Sequence, residues 1–156
     1  MFDIIHAENS DQIGEARKLF REYQAWLGLD LCFQGFEEEM SSLPGRYATP
    51  DGRLLIAYSD AREPAGVIAL RSIGDRICEM KRLFVRPRFR GDGLGKILIE
   101  TLIADAKEIG YKKMRLDTYA PKMAKALKLY GSHGFSLIPP YYENPYNEIL
   151  FMELDL

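Results

Sequence analysis

Apolar residues recur at intervals of three and four positions in four segments of the chain, and this spacing predicts amphipathic helices. The strongest pattern covers residues 94–109 and ends at Gly110, a residue that suits the left-handed position after a helix. A first helix is capped by Ser10 or Asp11 and stops at Gly28. The two remaining helices are predicted over residues 33–43 and from Pro121 to Gly134.

Short runs of apolar or alternating residues predict seven strands, each bounded by glycine, proline or other turn residues. The predicted strands are residues 2–5, 53–58, 65–72, 76–85, 112–118, 135–138 and 149–154. In chain order the elements are a strand, helices, three strands, a helix, a strand, a helix and two strands. This order predicts an α/β or α+β fold with a mixed sheet, and no repeat or linker divides residues 1–156 into more than one domain.

Composition and charge narrow the class of protein. Lys and Arg number 21 against 23 Asp and Glu, a formal net charge of −2, which argues against a general nucleic-acid or membrane-surface binder. Cys32 and Cys78 lack the spacing of a zinc site or a disulfide framework, so no metal is expected. The first residues show no signal-peptide pattern and the apolar runs are strand-sized, so we expect a cytoplasmic protein with no membrane partner.

A glycine-rich turn lies between the predicted strand 76–85 and the strongest helix. Gly91, Gly93 and Gly95 allow a tight turn whose N–H groups face a ligand, and the helix start adds unpaired N–H donors that favour a phosphate. Six cations lie in the same stretch: Lys81, Arg82, Arg86, Arg88, Arg90 and Lys96. We interpret the segment as an anion site. The alternative is a turn that only reverses the chain, surrounded by solvated charges.

Two common nucleotide-binding patterns fail on particular residues of this turn. A P-loop needs glycine at position 90 and Ser or Thr at position 97, where the chain has Arg90 and Ile97. The dinucleotide fingerprint needs a third glycine at position 96 or 98, where the chain has Lys96 and Leu98. A magnesium nucleotide or a dinucleotide bound in these ways is therefore disfavoured.

The turn resembles the acyl-CoA-binding motif of the GNAT superfamily of N-acetyltransferases, which is Arg or Gln, two residues, Gly, one residue, then Gly or Ala. Here the motif is Arg90-Gly91-Asp92-Gly93-Leu94-Gly95. The family's second signature, an Ala followed by Leu-Tyr, three residues and Gly-Phe, is present as Ala126, Leu129-Tyr130 and Gly134-Phe135. Both motifs stand in the family's order, and the order of elements matches from end to end.

The resemblance implies a fold and a cosubstrate. It implies a mixed, mostly antiparallel sheet of about seven strands flanked by four helices, splayed between the strands at 77–85 and 112–118. The pantetheine arm of acetyl-CoA would lie in this opening as an added strand, hydrogen-bonded to the backbone of Leu83, Phe84 and Val85. The pyrophosphate would be cradled by Arg90, Gly91, Asp92, Gly93, Leu94, Gly95 and Lys96. Many members carry Asn where this chain has Met123, which leaves a side-chain contact there open.

The resemblance also implies a reaction. An acetyl group would pass directly from acetyl-CoA to the primary amine of a small molecule, peptide or protein, without an acyl-enzyme. A GNAT-fold module that binds acyl-CoA without turnover is the alternative. Many members form homodimers, often through late strands, and the sequence leaves both the acceptor and the oligomeric state open.

Tyr130 and Glu79 are the predicted catalytic residues. A phenol stays protonated at neutral pH, so Tyr130, which matches the family's acid, is expected to protonate the departing thiolate. The alternative is a core tyrosine at helical spacing. Glu79 precedes the pantetheine-binding stretch, where related enzymes often place a glutamate that removes the amine proton through water. A structural pair with Lys81, on the same face of the strand, is an equal alternative.

Aromatic and acidic residues are candidates for the acceptor side of the site. Tyr23 and Trp26 close the first helix, and the loop before the last strand contains Tyr141, Tyr142, Asn144 and Tyr146. These aromatics either hold an amine by cation–π contact or pack beneath the proline-rich loop. The run Glu37-Glu38-Glu39 would attract a cationic amine, although an acidic run on a helix is usually a solvated face.

Overall fold

A computed structural model describes residues 1–31 and 35–156 of the chain. Within these ranges there are seven strands: β1 (Asp3–His6), β2 (Arg53–Tyr58), β3 (Pro64–Ser72), β4 (Ile77–Val85), β5 (Lys113–Tyr119), β6 (Ser136–Ile138) and β7 (Ile149–Asp155). The same ranges contain four α-helices: α1 (Ser10–Leu27), α2 (Phe36–Ser42), α3 (Leu94–Ile109) and α4 (Ala124–Ser132). Cys32 and the predicted helix start at residue 33 lie outside the described residues.

The strands form one sheet in the order β1-β2-β3-β4-β5-β7-β6. Neighbouring strands are antiparallel except β4 and β5, which run parallel. A parallel pair needs a long crossover, and α3 supplies it. The prediction of an α/β fold with a mixed, mostly antiparallel seven-stranded sheet and four helices is confirmed.

The parallel pair separates soon after it forms. Its register joins Ile77, Cys78 and Glu79 of β4 to Lys113, Met114 and Arg115 of β5. Over the described residues, the remainder of β4 pairs with β3 but not with β5. The predicted splay between these two strands is therefore confirmed, and it leaves the end of β4 with unpaired backbone groups on one side.

A β-bulge bends β4 at the start of this opening. Val67 of β3 lies opposite Phe84, and Ala69 lies opposite Lys81, so β4 has one more residue than β3 between these two pairs. Arg82 lies in the bulge with a φ of 62°, in the left-handed region. Because a bulge bends its strand and increases the local twist, it turns the end of β4 away from β5.

Helices cover both faces of the sheet and bury two hydrophobic cores. The core beneath α1 and α2 includes Leu19, Phe20, Phe36, Met40, Leu54, Ile56, Val67 and Phe84. The core beneath α3 and α4 includes Ile68, Leu70, Met80, Leu94, Leu98, Leu102, Met114, Leu116 and Tyr130. Within the described ranges, no helix is both long enough and apolar enough to cross a membrane.

The first helix is capped by the residue before its two predicted caps. Asn9 is the N-cap rather than Ser10 or Asp11, because the Asn9 side chain accepts a hydrogen bond from the backbone N–H of Gln12. The Gln12 side chain accepts from the backbone N–H of Asn9 in return, which completes a capping box. The predicted stop at Gly28 is confirmed, with a φ of 74°.

The last helix begins at Ala124, three residues after the predicted start at Pro121. The carbonyl oxygen of Tyr119 accepts hydrogen bonds from the backbone N–H groups of Lys122 and Met123, so this segment forms a turn rather than the first helical residues. The turn brings Met123 beneath the helix start, where the side chain is buried.

Candidate active site

A cavity of about 570 Å³ lies between the end of β4, the glycine turn and the start of α4. Its volume falls within the range of ligand pockets, roughly 300–1,000 Å³. The predicted cosubstrate-binding residues that line it are Leu83, Phe84, Val85, Arg90, Gly91, Gly93, Leu94, Gly95 and Lys96. The remaining predicted residue, Asp92, is exposed outside the lining. One continuous stretch of chain thus forms one wall of the cavity.

Other lining residues were not among those predicted to bind the cosubstrate. Phe89 belongs to the stretch just described, and the opposite wall is formed by Trp26, Lys122, Met123, Ala124, Lys125, Ala126 and Leu129. Of these, Trp26 was a candidate for the acceptor side of the site. Lys122 joins two parts of this wall, because its Nζ donates a hydrogen bond to the Trp26 carbonyl oxygen at 2.6 Å and lies 5.7 Å from the Trp26 ring centre. Ala126 and Leu129 belong to the second motif, which was the available signal. The contact between Lys122 and Trp26 spans 96 residues and has no local signal.

The glycine turn presents backbone rather than side chains to the cavity. Gly91 and Gly93 have φ values of 94° and 80°, a conformation that favours glycine. Gly93 is the N-cap of α3 and makes no side-chain capping bond, so the first N–H groups of the helix are left for another acceptor. A helix start of this kind favours an anion.

Replacing Gly91 by Ala is expected to raise the Kd for acetyl-CoA at least about tenfold. A residue with a Cβ pays about 1–2 kcal/mol to adopt the left-handed backbone conformation, so the turn shifts to avoid it. Calorimetric titration of the variant measures this change. Gly74→Ala is the matched control, because Gly74 has a φ of 91° and, like Gly91, no atom within 4 Å of an added Cβ. Both variants should lose similar unfolding free energy, and equal acetyl-CoA affinities would show that the glycine turn does not bind the cosubstrate.

The six cations near the turn do not form one anion site. Lys81, Arg82, Arg86 and Arg88 lie in ion pairs with Asp117, Glu39, Glu22 and Glu63, respectively. Arg90 and Lys96 line the cavity. The Nε of Arg90 donates to the Val85 carbonyl oxygen at 2.8 Å, and its guanidinium lies over the Trp26 ring. The interpretation of the whole cluster as anion-binding was therefore wrong for four of its members.

Tyr130 lies on α4 and lines a second, smaller cavity of about 10 Å³ at the gap between β4 and β5. The side chain is buried, and burial raises its pKa, with smaller contributions from Tyr23 and Asp117 in the same direction. Among the described residues, the Tyr130 hydroxyl makes no hydrogen bond. It is therefore a protonated phenol whose donor remains available at the inner end of the opening.

Glu79 is held by two neighbours from other elements. Arg71 of β3, directly opposite in the register, donates to Oε1 at 2.8 Å, and the Tyr141 hydroxyl donates to Oε2 at 2.6 Å. The side chain is 2% exposed. Its ion-pair partner is thus Arg71, and the alternative of a pair with Lys81 on the same strand is replaced by a pair across strands.

Asp117 is a second carboxylate at the gap. It lies on β5 on the face opposite Met114 and Leu116, and it lines the small cavity together with Tyr130. Its Oδ2 accepts a hydrogen bond from the Tyr142 hydroxyl and lies 3.8 Å from Lys81 Nζ. Burial lowers the pKa of Lys81, and the negative charge of Asp117 opposes that shift. Asp117 was not among the residues predicted from the sequence.

The aromatic loop before β7 packs and also supplies hydroxyl groups to both carboxylates. Tyr141 and Tyr142 lie edge-to-face with Phe151, at ring-centre distances of 5.2 and 5.1 Å. Burial is the main cause that raises the pKa of both tyrosines, and the adjacent carboxylates raise it further. Asn144 Nδ2 donates to the Tyr142 hydroxyl at 3.0 Å. The loop therefore covers the polar side of the gap.

The acidic run on α2 divides into three different environments. Glu37 forms an exposed ion pair with Arg21, and Glu38 is exposed. Glu39 forms two hydrogen bonds of 3.1 Å with Arg82, a pair whose side chains are 13% and 3% exposed. Glu39 therefore binds Arg82 in the β4 bulge. For Glu39, both interpretations of the acidic run, as a group that attracts an amine and as a solvated face, are wrong.

Together these features describe a cleft with a free helix start at one end and a cluster of buried tyrosine and carboxylate side chains beside it. Within residues 1–31 and 35–156, no group of three His, Cys, Asp or Glu side chains is arranged to hold a metal ion.

Comparison with known proteins identifies the family. Residues 16–135 match the acetyltransferase (GNAT) family, which is more than half of the chain. An uncharacterised N-acetyltransferase of Dictyostelium discoideum is 35% identical, with 96% of this chain and 97% of that protein covered. An uncharacterised N-acetyltransferase of Schizosaccharomyces pombe is also 35% identical, with 92% and 88% covered. The chain belongs to the GNAT acetyltransferase family, whose reaction is acyl transfer from acyl-CoA.

Solved structures agree on the fold. A GNAT-family acetyltransferase of Staphylococcus aureus superimposes with a TM-score of 0.82 at 20% identity, with 99% of each chain covered. The PaiA N-acetyltransferase of Thermoplasma acidophilum, solved in complex with coenzyme A, gives a TM-score of 0.76 at 18% identity, covering 100% of this chain and 99% of that one. These similarities extend over the whole sheet and its helices.

Proposed function

We propose that this protein transfers an acetyl group from acetyl-CoA to the primary amine of a small molecule or peptide, in one direct step. The observation that carries the proposal is the continuity of the site. The large cavity beside the glycine turn and the small cavity containing Tyr130 share two lining residues, Leu83 and Met123. A ligand held by its phosphates at the turn would therefore present its far end to the buried tyrosine.

Each part of the large cavity suits one part of acetyl-CoA. The turn at Gly91 and Gly93, with the free helix start behind it, suits the pyrophosphate. The side of β4 that faces away from β3 at Leu83–Val85 suits the amide groups of the pantetheine arm, since an unpaired strand edge accepts an added strand. Met123 is buried and offers no polar group, so cosubstrate contacts at this position come from its backbone or its apolar surface.

In the proposed step, the amine nitrogen attacks the thioester carbonyl and forms the C–N bond as the C–S bond breaks. Tyr130 donates its proton to the departing sulfur, and the proton lost by the nitrogen returns to the tyrosine, so that CoA leaves as the thiol. The buried, protonated state of Tyr130 suits this role. The predicted base is Glu79, and its part in the reaction stays a prediction.

An amine-dependent assay tests this proposal. The purified protein is incubated with acetyl-CoA and a panel of primary amines, including polyamines, amino-acid esters and peptides, and both free thiol and acetylated product are measured. We expect at least one amine to gain one acetyl group in step with thiol release. Saturable acetyl-CoA binding with no transfer to any amine class would support the module that binds acyl-CoA without turnover.

We also propose that the protein acts in the cytoplasm, as expected from the sequence.

Cys78 is a buried free thiol, and burial raises its pKa to about 12. Such a thiol is a poor nucleophile, which agrees with direct transfer rather than an acyl-cysteine.

A further inference from the structure

Two carboxylates, Glu79 and Asp117, lie at the gap between β4 and β5, and they differ in their hydrogen-bond partners and their exposure. Both oxygens of Glu79 already accept hydrogen bonds, from Arg71 and Tyr141, and the side chain is almost fully enclosed. Glu79 is also absent from the lining of both cavities. A substrate amine could reach it only after one of these two partners moved.

Asp117 faces the small cavity with one oxygen uncommitted. Its hydrogen bond from Tyr142 and its approach to Lys81 both involve Oδ2. Among the described residues, Oδ1 has no hydrogen-bond partner. The side chain is 16% exposed, compared with 2% for Glu79. A half-buried carboxylate oxygen with no hydrogen-bond donor can accept a further donor, such as an ammonium group, in addition to the ion pair that Asp117 forms with Lys81.

The position of Asp117 relative to Tyr130 also suits an acceptor. The two residues come from opposite faces of the sheet and meet at the gap, where both line the same small cavity. This cavity has room for about one water molecule. In the proposed reaction the acyl end of acetyl-CoA enters from the large cavity, so Tyr130 and Asp117 would lie on either side of the reacting carbon.

We propose that Asp117 binds the ammonium group of the acceptor and receives the proton that it loses before attack. This inference rests on the proposed acetyl transfer and deepens it, because it makes the acceptor a protonated primary amine that forms a charge-assisted hydrogen bond with Oδ1. Glu79 is then a positioning residue, which holds the Tyr141 hydroxyl and thereby the loop that also carries Tyr142.

The protons balance in this scheme. The ammonium group gives its first proton to Asp117, which passes it to solvent, and the neutral amine then attacks the thioester. The second proton leaves the nitrogen as the C–N bond forms and replaces the proton that Tyr130 gives to sulfur. The net products are the amide, CoA as the thiol and one proton in solution.

A pair of CoA derivatives tests this inference without knowledge of the acceptor. CoA alkylated on sulfur with a 3-aminopropyl group carries a terminal ammonium, and S-butyl-CoA has nearly the same shape without the charge. Calorimetric titration of the wild-type protein is expected to give a Kd at least about tenfold lower for the ammonium derivative. Equal affinities for the two derivatives would overturn the inference.

Three variants show which carboxylate binds the ammonium group. Asp117→Asn should bind both derivatives with similar affinity, while its Kd for S-butyl-CoA stays within about twofold of wild type, since the Asn oxygen still accepts from Tyr142. Glu79→Gln and the surface control Asp155→Asn should keep the preference. Loss of the preference in Glu79→Gln but not in Asp117→Asn would overturn the assignment. Failure of the wild-type protein to bind any CoA derivative would instead overturn the proposed function.

Discussion

Replacing Tyr130 by Phe is expected to lower kcat at least about 100-fold, because the departing sulfur loses its proton donor. The Kd for acetyl-CoA should stay within about twofold of wild type, since the phenyl ring remains. The change removes a single oxygen atom, and that oxygen makes no hydrogen bond with any described residue. The packing of the ring against Phe135, at a ring-centre distance of 5.8 Å, is retained. Steady-state kinetics with the best amine from the panel and calorimetric titration measure the two effects.

Tyr111→Phe is the matched control for this prediction. The Tyr111 hydroxyl donates to the backbone carbonyl of Asp51, and the residue lines neither cavity. Its loss should leave kcat within about twofold of wild type while removing one partly exposed hydrogen bond. Unchanged turnover in Tyr130→Phe would remove Tyr130 from the mechanism and restore the alternative of a core tyrosine.

Replacing Glu39 by Gln is expected to lower the free energy of unfolding by about 3–5 kcal/mol, because it leaves the Arg82 guanidinium buried without its counter-charge. The pair is nearly buried on both sides. An arginine guanidinium is not deprotonated in proteins, so Arg82 cannot lose its charge when Glu39 is replaced. Urea denaturation followed by circular dichroism measures the loss as a lower midpoint at an unchanged slope.

Glu38→Gln supplies the control, since it makes the same chemical change one residue away on the exposed face of α2. Its unfolding free energy should stay within about 0.5 kcal/mol of wild type. A similar small loss in Glu39→Gln would mean that the contact between α2 and the β4 bulge contributes little. The contribution of this contact matters for the site, because Arg82 immediately precedes the strand residues proposed to hold the pantetheine arm.

Local patterns were sufficient to predict the main elements of the fold. α3 has the boundaries that its apolar spacing and Gly110 indicate, and β2 matches its predicted range. Helix starts were predicted less well. Asn9 competes with Ser10 and Asp11 as a cap, and only the reciprocal bond with Gln12 decides between them. The start of α4 depends on a turn at Tyr119 that has no strong sequence signal.

The part of the site formed by residues adjacent in sequence was predicted, and the contacts that arise from strand pairing and loop packing were missed. The glycine turn and the end of β4 are adjacent in sequence, so their joint role could be inferred from the motif. The partners of Glu79 lie 8 and 62 residues away and follow from strand pairing and loop packing. Asp117 is one polar residue in an alternating strand, and nothing in its sequence neighbourhood connects it with Tyr130.

Calorimetric titration of the purified protein with acetyl-CoA, with ATP and NAD as controls, tests whether the cavity binds the cosubstrate. We expect saturable binding of one acetyl-CoA per chain, with much weaker binding of both nucleotides. We also expect Gly91→Ala to weaken this binding and Tyr130→Phe to leave it unchanged. The absence of acetyl-CoA binding by the folded wild-type protein would contradict the assignment of the cavity and of the chemistry proposed beside it.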